Sequence, residues 1–229
     1  MPISVRGYLE VSGRPSGGTA HSALNAFSRL RETGSAARER RRIEPGTPAG
    51  RSVHSGPGRP HRAHQPEGWA LPMPSLDPQV VGRSARALDR YGPDFRYAHH
   101  VLVPHVWTAA GLAAGATGLV AVAQVPPLRN AVLNRIPQGT GPSEAQRARH
   151  WFRVTFVGEG DGRRVVTRVS GGDPGYDETA RMLGESALAL AGDDLPATAG
   201  QVTTATAMGD ALIERLQKSG MRFEVLESD

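Results

Sequence analysis

Between Val106 and Leu128 the chain carries no charged side chain, and Arg129 closes the run. Exposed apolar surface is unfavourable in water, so a stretch of this length has to be covered by protein or by lipid. It is long enough to reach across a bilayer, but alanine and glycine dominate it and Pro126-Pro127 break its end. The expectation is an apolar helix near 106–128 that is buried or lies on a membrane surface. Within it, GLAAGATGLV sets glycines at Gly111, Gly115 and Gly118, as glycines are set in dinucleotide-binding loops. Such a loop needs a buried strand before it, a helix after it and an acidic residue about 20 positions on. Here Pro104 interrupts the preceding VLVPHVW, PLRNAVLNRIPQG supplies no acid, and the spacing is not G-x-G-x-x-G. Small residues spaced for close helix packing are a sufficient account.

The 229 residues are enough to bury a core. The net charge is +5, and Lys218 is the only lysine among 27 basic residues. Wholesale use of arginine is a mark of GC-rich coding, so the charge alone does not argue for nucleic acid as a partner. Without cysteine there are no disulfides, no thiolate catalysis and no Cys-ligated zinc. MPISVRGYLEV lacks a basic stretch followed by a hydrophobic one, so no cleavable signal is read and a cytoplasmic location is the default.

VRGYLEV alternates as a strand does and leads through a glycine turn into a helix with Ala20, Ala23, Leu24, Phe27 and Leu30 at helical spacing, capped by Ser16 or Thr19. A strand, glycine turn and helix leave free N–H groups that suit an anion, or simply turn the chain. The run Arg38 to Arg42 sits at a helix end, where cations are favoured. Residues 45–78 are crowded with proline and glycine and are expected to be a mobile loop in which RSVHS and GWALPM form an edge hairpin. His61 and His64 are expected in that loop, and no metal site is expected there. Asp77 caps a helix beginning at Pro78 and ending at Gly92. FRYAHHVLVPHVW brings Tyr97, His99, His100 and His105 to an apolar segment, either lining a substrate cleft or forming a strand edge with one satisfied histidine. Ser143 and Gln146 form a capping box. WFRVTFVGEGDGRRVVTRVSGG reads as a hairpin. The next helix presents Ala180, Leu183, Ala187, Leu190 and Ala191 as one stripe, a further helix turns Met208, Ala211, Leu212 and Leu216 inward, and MRFEVLE is a final strand. Together these give an α+β fold, a mostly antiparallel or mixed sheet with helices packed on it.

The stretches RPSGGTAHSAL, ALPMPSLDPQVVGRSARALDRYGPDFRY, GPSEAQRARHWFRVTFVGEGDGRRVVTRV and VSGGDPGYDETARMLGESALALAGDDLPATAGQVTTATAMGDALIERLQKSGMRFEV resemble saccharopine dehydrogenase-like oxidoreductases of the actinobacterial trans-acting enoyl reductase group. The resemblance implies an NADP-linked reductase of lipid or glycolipid biosynthesis working near the inner face of the plasma membrane. Members of the group carry an N-terminal Rossmann domain with a G-x-T-G-type loop, and no such domain is read in residues 1–229. The expectation is one substrate and oligomerisation domain that forms homo-oligomers, accepts a lipid-type substrate, does not bind NADP alone and is inactive by itself as a reductase. The turn of Ser16, Gly17, Gly18 and Thr19 is expected to face cofactor or substrate. Tyr97, His99, Asp173 and Tyr176 are candidates to orient a substrate carbonyl, and Asp173 can equally be a loop residue ahead of a helix. A different class of function is a non-enzymatic module that seats 106–128 on a membrane surface.

Overall fold

The computed structural model describes residues 1–13, 17–44, 46–73, 75–136 and 141–228. The alternating start forms β1 (Pro2–Val11), followed by α1 (Gly17–Ser28) and α2 (Leu30–Ile43). Then come β2 (Ser52–Gly56), β3 (His61–His64), β4 (Glu67–Pro72), α3 (Asp77–Ala87), a short 3-10 turn and β5 (Asp94–Val103). The uncharged run folds as α4 (Val106–Gln124) and continues in α5 (Pro126–Arg135), and α6 (Glu144–Arg147) is a single turn. The hairpin of β6 (Phe152–Gly160) and β7 (Arg163–Gly171) precedes α7 (Asp177–Gly192), α8 (Thr204–Ala207), α9 (Gly209–Lys218) and β8 (Arg222–Ser228).

All eight strands belong to one mixed sheet in the order β3-β4-β5-β1-β6-β7-β8, with β2 also on β5. β5 runs parallel to β1 along one side. Its other side is divided, with β2 parallel to its first half and β4 antiparallel to its end. The fold is therefore the expected mixed sheet with helices packed on it. Both faces hold core: Tyr8, Ala63, Ala70, Leu102, Val157 and Val166 on one, Phe95, Tyr97 and Ala85 of α3 on the other. The Gln65 side-chain amide after β3 donates to Glu227 of β8 at 2.6 Å, so the sheet curls until its two outer regions meet.

Several expectations are corrected. Residues 52–72 are not a loop but three paired strands, and the hairpin joins β3 to β4 rather than RSVHS to GWALPM. The prolines in this region lie between strands or at a strand end, where no ladder hydrogen bond is lost. His61 and His64 are consequently strand residues. The Asp77 helix stops at Ala87, and Leu76 rather than Asp77 holds its cap position. On α7 the apolar stripe read from the sequence faces solvent, with Leu183 72% and Leu190 62% exposed. Instead Met182 packs toward Phe152, Leu216 and Met221, and Ala189 packs on Ala207 and Met208. Leucine and alanine occur all round this helix, so periodicity alone does not select its buried face. Nor do the glycines of α4 serve close packing: a Cβ at Gly111, Gly115 or Gly118 would meet nothing within 4 Å. In α4 only Ala109 and Ala123 are buried.

Other local readings hold. Ser143 and Gln146 make the reciprocal capping box. Ser143→Ala is expected to lower stability by about 1 kcal/mol, read by urea denaturation. The β6–β7 turn is tighter than GEGDG suggests. Only Asp161 and Gly162, with φ of 54° and 74°, connect the strands, the conformation of a type I′ turn.

Candidate functional site

The site begins with a missing side chain. Gly7 of β1 lies opposite His99 of β5, and a Cβ there would come 2.7 Å from the Tyr97 hydroxyl and 3.0 Å from His99 Nδ1. Residues two apart on a strand share a face, so the space left by Gly7 lets both rings of β5 lie over β1. Tyr97 Oη and His99 Nδ1 are hydrogen-bonded at 2.7 Å, and both residues are buried. Burial, helped by Asp77, pushes the Tyr97 phenol above its ordinary value. Burial also lowers His99, against an opposing pull from Asp77. Both directions keep the pair uncharged, a phenol holding its proton beside a neutral imidazole. Gly7→Ala is expected to destabilise the protein by about 1–3 kcal/mol, less so in a Tyr97→Phe background, as a double-mutant cycle in denaturant would show.

Tyr97 also lines a cleft of ≈ 680 Å³ whose walls carry Arg6, Arg40, Arg59, Arg86 and Arg96 against one carboxylate, Glu44. Arg6 pairs with Glu159 at 2.6 Å, Arg40 with Glu44 at 3.6 Å and Arg96 with Asp94 at 3.7 Å. Among the described residues Arg59 and Arg86 have no carboxylate within ion-pairing distance. The Nε atoms of Arg6 and Arg40 are buried without an acceptor. Unpaired guanidinium donors around a polar cavity suit an anion, phosphate or carboxylate.

The other candidates lie elsewhere. Asp173 accepts from His150 Nδ1 at 2.7 Å and from the N–H groups of Tyr176 at 2.7 Å and Asp177 at 3.4 Å, tying down the start of α7. Burial pushes this carboxyl up, but the bonds from His150, Tyr176 and Asp177 prevail and hold it below the ordinary range. Tyr176 is 39% exposed, with the Arg147 guanidinium 5.7 Å from its ring centroid. The His150 ring stands 2.7 Å from where a Cβ on Gly13 would be, six residues beyond Gly7. At the rise of an extended chain this puts the Asp173 group ~20 Å from the Tyr97 pair. Tyr97 with His99 and Asp173 with Tyr176 are therefore two places, not one. Gly17 and Gly18 open α1. Ser16 and the side chain of Thr19 lie outside the described residues.

Sequence reasoning passed over two groups. His150 is one, because its partner is 23 residues away. The second is a ring cluster on the opposite face of the sheet, where Tyr8 Oη meets His61 Nε2 at 3.0 Å and the His61 and His100 rings are perpendicular at 4.9 Å. His100 is 1% exposed and neither of its nitrogens has a hydrogen-bond partner. Burial, with His61 adding to it, lowers His100 to about 4 against an opposing pull from the nearby backbone of Gly7 and Arg59. The expected strand edge is thus corrected, since β5 is paired on both sides, while the one satisfied histidine is found: His99 is bonded to Tyr97 and His100 is not.

Over 165 residues the chain is 37% identical to a Mycobacterium tuberculosis protein provisionally named a trans-acting enoyl reductase, an alignment covering 66% of this chain and 39% of that protein. Other relatives that it matches carry the name trans-acting enoyl reductase. The Mycobacterium ulcerans protein of that name is 36% identical over 157 residues, 62% of this chain and 37% of its own length. That of Mycobacterium bovis is 31% identical over 193 residues, 71% of this chain and 46% of its own. The chain thus spans less than half the length of these curated relatives. No family model matches it, and no solved structure matches it.

Proposed function

We propose that this chain forms the substrate-side part of an NADP-dependent enoyl reductase of the saccharopine dehydrogenase-like kind, acting on lipid-type acyl chains. The observation that carries the proposal is the 37% identity over 165 residues to the Mycobacterium tuberculosis relative. The Tyr97–His99 pair beside an arginine-lined cleft supports it. Reduction of an enoyl group needs a hydride, which a bound nicotinamide supplies, and a proton for the neighbouring carbon. In this proposal Tyr97 holds that proton at its Oη, His99 fixes the direction of the hydroxyl through Nδ1, and the arginines bind an anionic group of the substrate. The glycines from 111 to 118 do not fit NADP, because they lie within a helix whose N–H groups are already used along its length.

Two measurements test the proposal. Fluorescence titration of the purified chain with NADPH is expected to show no saturable binding, and a micromolar Kd would overturn the exclusion of NADP from these residues. Calorimetric titration with a trans-2-enoyl coenzyme A thioester is expected to show binding that falls about tenfold or more in Arg86→Glu and weakens with salt. Equal binding by the wild type and Arg86→Glu, or none by either, would remove the cleft from substrate recognition.

A further inference from the structure

The least satisfied surface of the molecule is α4. Every residue from 110 to 118 is exposed, about two and a half turns, so this part of the helix is open on all sides. Only 11% of its apolar window is buried, at a mean hydropathy of 1.6, and Trp107 near its start is 83% exposed. A helix that is apolar all round is covered all round, either by the core of a large protein or by lipid, whereas docking a partner on one face would leave the other faces wet. The polar opposite face of an interfacial amphipathic helix is absent here.

Two further observations indicate what covers it. From residue 95 to residue 143 there is no Asp or Glu, and the arginines in that stretch are Arg96, Arg129 and Arg135, the last two on α5. Cations that directly follow an apolar helix suit the anionic head groups of a membrane. In addition, both ends of α5 are tied to α1: Gln124 at the end of α4 donates to the Phe27 carbonyl at 2.6 Å, and His21, six residues earlier in α1, donates to the carbonyl of Ile136 just after α5 at 2.7 Å. The chain therefore turns back at the end of α4 and does not continue straight on from it, as it would in a simple crossing.

We propose that the α4–α5 hairpin seats in one leaflet of an anionic lipid bilayer, with the apolar residues of α4 among the acyl chains and Arg129 and Arg135 at the lipid phosphates. The proposal is independent of the enoyl reductase reading. Flotation of the full chain with phosphatidylcholine vesicles, with and without phosphatidylglycerol, tests it. Binding is expected with phosphatidylglycerol, reduced at high salt, together with a blue shift of tryptophan emission that is lost in Trp107→Phe. Leu112→Glu with Ala116→Glu, both at exposed positions of α4, is expected to abolish flotation while leaving the circular dichroism spectrum unchanged. Each of Arg129→Gln and Arg135→Gln is expected to weaken binding about fivefold. Absence of flotation at any salt, flotation unaffected by the double glutamate variant, or a salt-stable dimer that ignores vesicles would overturn the proposal, the last by making a second copy the cover.

Discussion

Phe95→Ala is expected to lower the free energy of unfolding by about 3–5 kcal/mol, the largest effect of any single truncation considered for this protein. The ring is 3% exposed, packs with Ala85 and Tyr97, and stands edge-to-face to Tyr91 at a centroid distance of 4.8 Å. Removing it opens a cavity between the central strand and α3 that the sheet cannot close, since β5 is paired on both sides. The fall in Tm should be roughly 10 °C for a chain of this size. The informative companion is Leu183→Ala. Its side chain points to solvent on α7, so the change should stay within about 0.5 kcal/mol. A loss from Leu183→Ala as large as that of a core leucine would mean that α7 packs by the face its periodicity suggests.

The second large effect is with acid. His100 titrates near 6.5 in the unfolded chain and at about 4 in the folded one, mainly because it is buried. Between these values the unfolded state carries the extra proton, so stability falls as the pH drops from about 6.5 toward about 4, by about 3 kcal/mol at most. Asp173 acts lower down: its carboxyl is depressed in the folded state, so its contribution is complete above the unfolded carboxylate value and is lost as the pH falls through the folded one. His100→Phe keeps a ring of similar size and removes two nitrogens that make no hydrogen bond within 3.5 Å. It also gives up a weaker contact with the Gly7 and Arg59 backbone, so it should be close to neutral at pH 7. Urea denaturation of both proteins across the acid range separates the two groups. An unchanged slope above pH 4 in His100→Phe would show that His100 is not the source.

Where interactions are local, the sequence was a good guide. Alternation located β1 and the β6–β7 hairpin, though not its two-residue turn, MRFEVLE was read as the final strand, and Ser143 with Gln146 located a helix start. What it did not carry is set by partners far apart in the chain. The parallel pairing of β1 with β5 joins residues some ninety positions apart, and without it neither the burial of β5 nor the need for glycine at position 7 can be seen. The prolines between 57 and 72 read as a loop because proline disrupts ladders, yet each stands outside a strand or at its end. In the site, Tyr97 and His99 were legible as candidates from their residue types beside an apolar segment, but their mutual hydrogen bond was not. Asp173 was legible as the residue ahead of a helix, but not as the partner of His150. The arginine cleft was hidden because its walls come from α2, α3, β1, β2, β5 and the segment after β2.

Glu227 receives the Gln65 amide at 2.6 Å and Arg164 at 2.7 Å. The strand that carries it follows all others in the chain, while the hairpin it clasps lies in the first third. During synthesis the early strands therefore wait, with one rim of the sheet unfastened, until β8 has been made. The waiting rim is where a nascent chain of this protein is most open to chaperones and to mispairing.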